Sequence, residues 1–209
     1  MKLRKRMLSL ALVLALILGL CPGAVAASCG YTDVSENHWA YPYIQDVTER
    51  GVMNGVASNL FQPDGTMTRA MFVTVLARMS GETLYPDEPS VFPDVPTGKY
   101  FSGAVNWATE RQIVTGYPDG TFGTDQPVTR EQAATFLARF ARVMERTLEA
   151  VQEPVAFTDR DVIHSYARDA VDACSQAGIL AGYPDGRFQP RKAITRAEAA
   201  KVFSVFLQV

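Results

Sequence analysis

The chain has 209 residues, 47% of them apolar, with 20 Lys and Arg against 22 Asp and Glu. That length suits one substantial domain or an array of small ones, and a charge of −2 argues against the basic surface a nucleic-acid binder normally presents. Three cysteines are too few for a disulfide scaffold.

The first predicted element is an export signal. Lys2, Arg4, Lys5 and Arg6 precede an apolar run from Met7 to Leu20, and Ala24, Val25 and Ala26 supply small residues for cleavage before Ala27. The run is shorter than the roughly 20 apolar residues that span a bilayer, so no membrane association is expected once residues 1–26 are removed. Lipoprotein processing at Cys21 is disfavoured by the bulky Leu20 before it. The remaining 183 residues hold 16 basic and 22 acidic side chains, a charge of −6. Cys29 and Cys174 stay with them. In an exported protein the two could pair, yet Cys174 falls in an apolar helical pattern that suits a buried thiol at least as well.

Past residue 30 the chain repeats itself three times, at shifts of 61 and about 66 residues, and such periodicity signals an array of supersecondary units. Gly55 and Arg69, Gly116 and Arg130, and Gly182 and Arg196 are each fourteen positions apart; Phe61, Phe122 and Phe188 each follow their glycine by six. The units are expected at 27–81, 91–146 and 156–209. Each opens on an aromatic residue two before an aspartate, at Asp33, Asp94 and Asp159.

A first helix is predicted over 39–50, 100–111 and 166–177, led by Trp39, Tyr100 or Tyr166, with Gly51 and Gly178 placed as C-terminal caps. Turns follow, such as Pro118-Asp119-Gly120 and Pro184-Asp185-Gly186. A second helix starts at Thr68, Thr129 or Thr195. Its buried stripe is Phe72, Val75, Leu76 and Met79 in the first unit, Ala133, Phe136, Leu137 and Phe140 in the second, and Ala199, Val202, Phe203 and Phe206 in the third. Segments 81–90 and 145–155, with Pro86, Pro89 and Pro154, read as connectors. Helices of about a dozen residues are marginal alone in water, so an all-α fold is expected in which three helix-loop-helix repeats pack on one another.

Thr129 with Gln132 and Thr195 with Glu198 form capping boxes, a structural role. Arg69, Arg130 and Arg196 stand in the first helical turn, where a cation is disfavoured by roughly 0.3–1 kcal/mol. Placed there three times, beside free helix-start amides, they suggest an anion site. The competing reading pairs each with Asp33, Asp94 or Asp159. Trp39, Tyr100 and Tyr166, and also Tyr117 and Tyr183, suit sugar faces and core packing equally well. The Pro-Asp-Gly turns lack the alternating acids of a calcium loop. His38 and His164 have Lys99 where the second unit should match them, so no repeated metal ligand emerges. No nucleophile elbow, zinc motif or phosphate loop is present, so no catalytic, metal or cofactor site is expected.

Taken together the repeats resemble S-layer homology domains over residues 31–207. The sequence Ile194-Thr195-Arg196-Ala197-Glu198 and the turn Gly182-Tyr183-Pro184-Asp185-Gly186 carry the resemblance most fully. It implies a pseudo-threefold helical assembly whose inter-repeat grooves bind secondary cell wall polysaccharide, often pyruvylated, and so anchor proteins noncovalently at the cell surface. It further implies that Arg130 and Arg196 meet the acid group, that Asp33, Asp94 and Asp159 shape the groove, that Trp39, Tyr100 and Tyr166 flank the sugar, and that Gly116 and Gly182 let backbone approach it. The first unit departs from the pattern, with Met71 at the capping-box position and Gly55-Val56-Ala57-Ser58-Asn59 at the turn, so unequal grooves are expected, weakest where that loop lines one. An assembly module that binds no glycan is the alternative, and self-association is left open. A wall hydrolase is a third reading that three small helical units leave little room for.

Overall fold

The computed structural model describes residues 29–209, so the proposed export segment and Cys21 lie outside the described residues. Six α-helices follow in chain order: α1 Tyr41–Glu49, α2 Arg69–Ser80, α3 Ser102–Glu110, α4 Arg130–Val143, α5 Arg168–Gln176 and α6 Arg196–Phe206. Two single-turn 3-10 segments, Arg160–Val162 and Ser165–Ala167, precede α5, and no β-strand occurs among the described residues. The fold is all-α.

The first helix of each unit begins two residues later than the periodicity predicts. Ala40, Phe101 and Ala167 occupy the N-cap without a side-chain cap, and Trp39, Tyr100 and Tyr166 stand ahead of it. The ends of these helices follow expectation: Gly51 and Gly178 take φ of 68° and 72° just past the last turn, and Gln112 adopts 58° at the same place in the second unit. The second helices are capped as predicted. Thr68, Thr129 and Thr195 each accept a backbone N–H, and the reciprocal bond is made by Gln132 and Glu198, with Met71 offering none.

The main helix contacts run between units. α2 packs on α3, α4 on α5, and α6 back on α1, so each repeat's second helix is covered by the next repeat's first and the array closes on itself. The residues just before the second helices tie the ring at its centre. The Val128 amide donates to the Met67 carbonyl at 2.9 Å, Met67 to Ile194 at 3.0 Å, and Ile194 to Val128 at 3.0 Å. These three hydrogen bonds form a closed pseudo-threefold cycle. Beneath it Phe72 lies 4.7 Å from Phe203 and 6.2 Å from Phe136, centroid to centroid. Burying one such ring contributes roughly 1.5–3 kcal/mol, and all three belong to predicted apolar stripes. Cys174 is buried against the Ala134 carbonyl and unpaired, its thiol pushed up to about 12 by burial, and Cys29 is free as well.

Candidate functional site

Each unit's loop is organised by its aspartate. Asp33 accepts the amides of Phe61 (2.9 Å) and Gln62 (2.7 Å), Asp94 those of Phe122, Gly123 and Thr124, and Asp159 those of Phe188 and Gln189. For Asp33 and Asp94, burial pushes the carboxyl up, but the loop amides outweigh it and hold both below the usual carboxylate range. The glycine of each loop is needed for internal packing. A Cβ on Gly116 would sit 2.3 Å from the Phe92 ring, and one on Gly182 2.6 Å from Phe157.

The arginines do not pair with those acids. Arg69, Arg130 and Arg196 are 3–5% exposed, and each reaches into the loop of the next repeat. Arg69 donates Nε–H to the Phe122 carbonyl and Nη2–H to Thr115, both at 2.9 Å. Arg130 bonds the Phe188 and Ala181 carbonyls, and Arg196 those of Phe61 and Asn54, at 2.6–2.8 Å. Acid and arginine are therefore linked through one residue: the phenylalanine whose amide the aspartate accepts offers its carbonyl to the guanidinium. Aromatic faces complete the seat, with Arg69 4.7 Å from the Tyr117 and Phe122 centroids and Arg130 4.6 Å from Tyr183.

The expectation of free helix-start amides fails. Arg69 N–H donates to Gln126, Arg130 to Lys192 and Arg196 to Gly65, and the following amides to Thr124, Pro190 and Pro63. The closed ring lays the next repeat's loop over each helix start, and its carbonyls satisfy the donors that would otherwise face solvent. Any anion site must therefore rest on the side chains.

Those side chains line three grooves of about 330, 290 and 340 Å³, at the lower end for small-molecule sites. Every groove takes parts from all three repeats. The first combines the loop and second helix of the first repeat with Arg196 of the third and Tyr100 of the second. The second combines the second repeat's loop and helix with Arg69 and Tyr166. The third joins the third repeat's loop and helix to Arg130 and Trp39.

Trp39, Tyr100 and Tyr166 are 53, 61 and 52% exposed, an open aromatic wall opposite each buried cation. Burial lowers the proton affinity of all three guanidiniums, yet an arginine keeps its charge in proteins. With Nε and Nη2 each donating one bond to a carbonyl and no carboxylate within ion-pair distance among the described residues, each presents its positive charge beside a groove, and Asp94, Asp33, Asp159 and Glu198 act on the three only from beyond contact.

Of the predicted residues, the arginines, Trp39, Tyr100, Tyr166, Tyr117, Tyr183, Gly116 and Gly182 meet at the grooves. Asp33, Asp94 and Asp159 do not line them; Asp94 and Asp159 face separate depressions outside the loops. The sequence reading missed a second cation in each groove: Arg78 in the first, Arg139 in the second and Lys201 in the third. Arg78 and Arg139 each follow the helix-start arginine by nine residues, a correspondence visible in the repeat alignment but broken by Val205. Also missed was Glu131, 3% exposed, which accepts the His164 backbone N–H at 3.1 Å and lies 2.7 Å from His164 Nδ1.

The S-layer homology domain family matches residues 30–71, 91–134 and 156–200. Among similar proteins, an endoglucanase of Bacillus sp. (strain KSM-635) is 33% identical over 97% of this chain and 22% of its own length. The cellulosome-anchoring protein of Acetivibrio thermocellus is 26% identical over 75% of this chain and 35% of itself. S-layer protein EA1 of Bacillus anthracis is 27% identical over 66% and 15%. The chain thus corresponds to about a third or less of each relative.

Proposed function

The chain belongs to the S-layer homology domain family, and on that premise we propose that it is an exported, non-catalytic module that holds to the bacterial cell surface by gripping an anionic wall polysaccharide. The observation that carries this reading is the pairing, three times over, of a buried guanidinium lacking a carboxylate partner with an exposed aromatic ring from a different repeat. A saccharide lays its C–H face on such a ring while an acid substituent, such as a pyruvyl ketal, meets the charge. The names of relatives that anchor or form surface layers support the same location.

The rings are the place to test it, because they lie outside the core. The triple substitution Trp39→Ala, Tyr100→Ala, Tyr166→Ala should abolish co-sedimentation with isolated wall sacculi while the thermal midpoint stays near that of the parent. Undiminished sedimentation would refute the grooves as the binding surface. Parent protein that binds equally well after chemical removal of the glycan's acid groups would refute the anionic ligand.

A further inference from the structure

The three grooves share one plan but differ in what lines them. The third carries a carboxylate: Glu198 accepts the Tyr183 hydroxyl at 2.7 Å and Lys192 Nζ at 3.2 Å. Burial pushes Glu198 up, but the Thr195 amide, Tyr183 and Lys192 together hold it below the ordinary glutamate range, so it is ionised at neutral pH. An incoming acid group meets a fixed like charge there. The first groove has no acid on its lining, but its walls are methionine and valine: Met53, Val56, Met67, Met71 and Val75. Apart from its two arginines, only Asn54, Thr74, Tyr100 and the loop backbone offer polar groups, and the Thr74 hydroxyl already donates to the Ala70 carbonyl.

The second groove combines what the others divide. Arg69 and Arg139 face it with no carboxylate on its lining. Gln132 stands where the third groove has Glu198 and the first has Met71, and Tyr117 and Tyr166 add hydroxyls. Its rim is also fastened as no other is. Glu131 on α4 grips His164 through both backbone N–H and ring, and burial together with the nearby Glu131 charge pushes the Tyr166 hydroxyl up to about 12. The positions matching Glu131 in the other repeats are Ala70 and Ala197, so neither Tyr100 nor Trp39 has an equivalent anchor. His164 stacks on Tyr166 with ring centroids 5.7 Å apart, as His38 does on Trp39, so what is particular to the second groove is the carboxylate that holds the histidine. An aromatic wall already held in place loses little freedom when a sugar lands on it, and that saving appears as affinity.

Resting on the anionic-glycan reading, we propose that the second groove is the principal seat for the acid-bearing sugar and that Glu131 is its positioning residue, acting through His164 and Tyr166. The carboxylate lies off the groove lining and makes no contact with ligand. Arg139 is the second cationic contact, on the wall facing Tyr166.

Tryptophan fluorescence separates the grooves within one molecule, since Trp39 lines the third groove and Trp107 is buried. The probe is a synthetic hexose glycoside bearing a pyruvyl ketal, with its neutral methyl ester as control. Calorimetry on the full mature chain should show a first binding phase that saturates before Trp39 emission changes. Glu131→Ala should weaken that phase by about tenfold or more, the worth of one good charge-assisted hydrogen bond. Glu131→Gln, which can still accept from His164, should weaken it less, and Tyr166→Phe should fall between wild type and the alanine variant. The Trp39 titration should stay put in all three, which also reports that the ring is still closed.

Emission from Trp39 moving in step with the first phase would overturn the assignment, as would a first phase unchanged in Glu131→Ala. If neither acid nor ester binds, or both bind equally, the anionic-glycan reading itself fails, an outcome distinct from a mistaken choice of groove.

Discussion

Across each groove two kinds of residue face one another, and they live under opposite constraints. The arginines at the ring's centre are almost wholly buried, identical in all three repeats and bonded to the next repeat's loop. The aromatics at the rim are more than half exposed, vary between Trp and Tyr, and stand just ahead of short helices without side-chain caps. The comparison teaches that one residue can hold the fold together and place charge beside a groove at once, while its partner across the groove adds little to the core and, on the proposed reading, serves the ligand. A substitution at the centre therefore mixes folding with binding.

Within the first groove the contrast can be tested on adjacent residues. Arg196→Ala removes the side chain that joins the third repeat to the first, leaving the buried carbonyl of Phe61 and the partly exposed one of Asn54 without this donor. The expected loss is about 3–5 kcal/mol, combining charged hydrogen bonds with unsatisfied acceptors. Tyr100→Ala in the same groove should cost less than about 0.5 kcal/mol, as for other exposed sites. Urea unfolding of the two variants decides it. Comparable stability in both would mean that the guanidinium does not lock the ring.

This division explains what could be read from the chain. The threefold repeat, both helices of each unit and the capping boxes at Thr129 and Thr195 are local patterns, and local patterns survive in one dimension. The partners of Arg196 sit 135 and 142 positions away, and no periodicity announces that they are carbonyls. The acid reading failed by a single residue, since each aspartate holds the phenylalanine amide whose carbonyl the arginine takes. The free-amide reading failed because the covering loop comes from a different repeat. Glu131 was illegible for a related cause: it occurs once, and its meaning depends on His164 being folded against it.

A smaller effect sharpens the comparison from the loop side. Asp94 fixes Phe122, which in turn receives Arg69, so the carboxylate supports the central lock at one remove. Its folded pKa lies below the unfolded value. The unfolded chain therefore binds more protons in the intervening window, and this contribution is complete above about pH 4 and lost as pH falls through the depressed folded value. Asp33 behaves in the same sense. Thermal midpoints of the parent should drop as pH is lowered from 5 toward 2 in dilute buffer, at about this carboxylate range. Asp94→Asn should begin lower at neutral pH and fall less steeply. Parallel curves would mean that the loop carboxylates do not set the acid limb.

The smallest effect concerns the one repeat that breaks the pattern. Thr68 caps α2 by accepting the Met71 amide at 3.2 Å, but Met71 cannot return a bond as Gln132 and Glu198 do. Met71→Gln would supply that bond, and a completed cap is worth about 0.5–1 kcal/mol. The same side chain lines the first groove, so the change also gives that groove the amide found in the second. Denaturant midpoints should rise, and binding of the acidic sugar in the first groove should strengthen with them. A rise in stability without a rise in affinity would show that the apolar wall around Met53, Val56 and Val75 limits the first groove. A fall in stability would show that Met71 earns its place by packing, and that the first repeat gave up its capping box for an apolar contact.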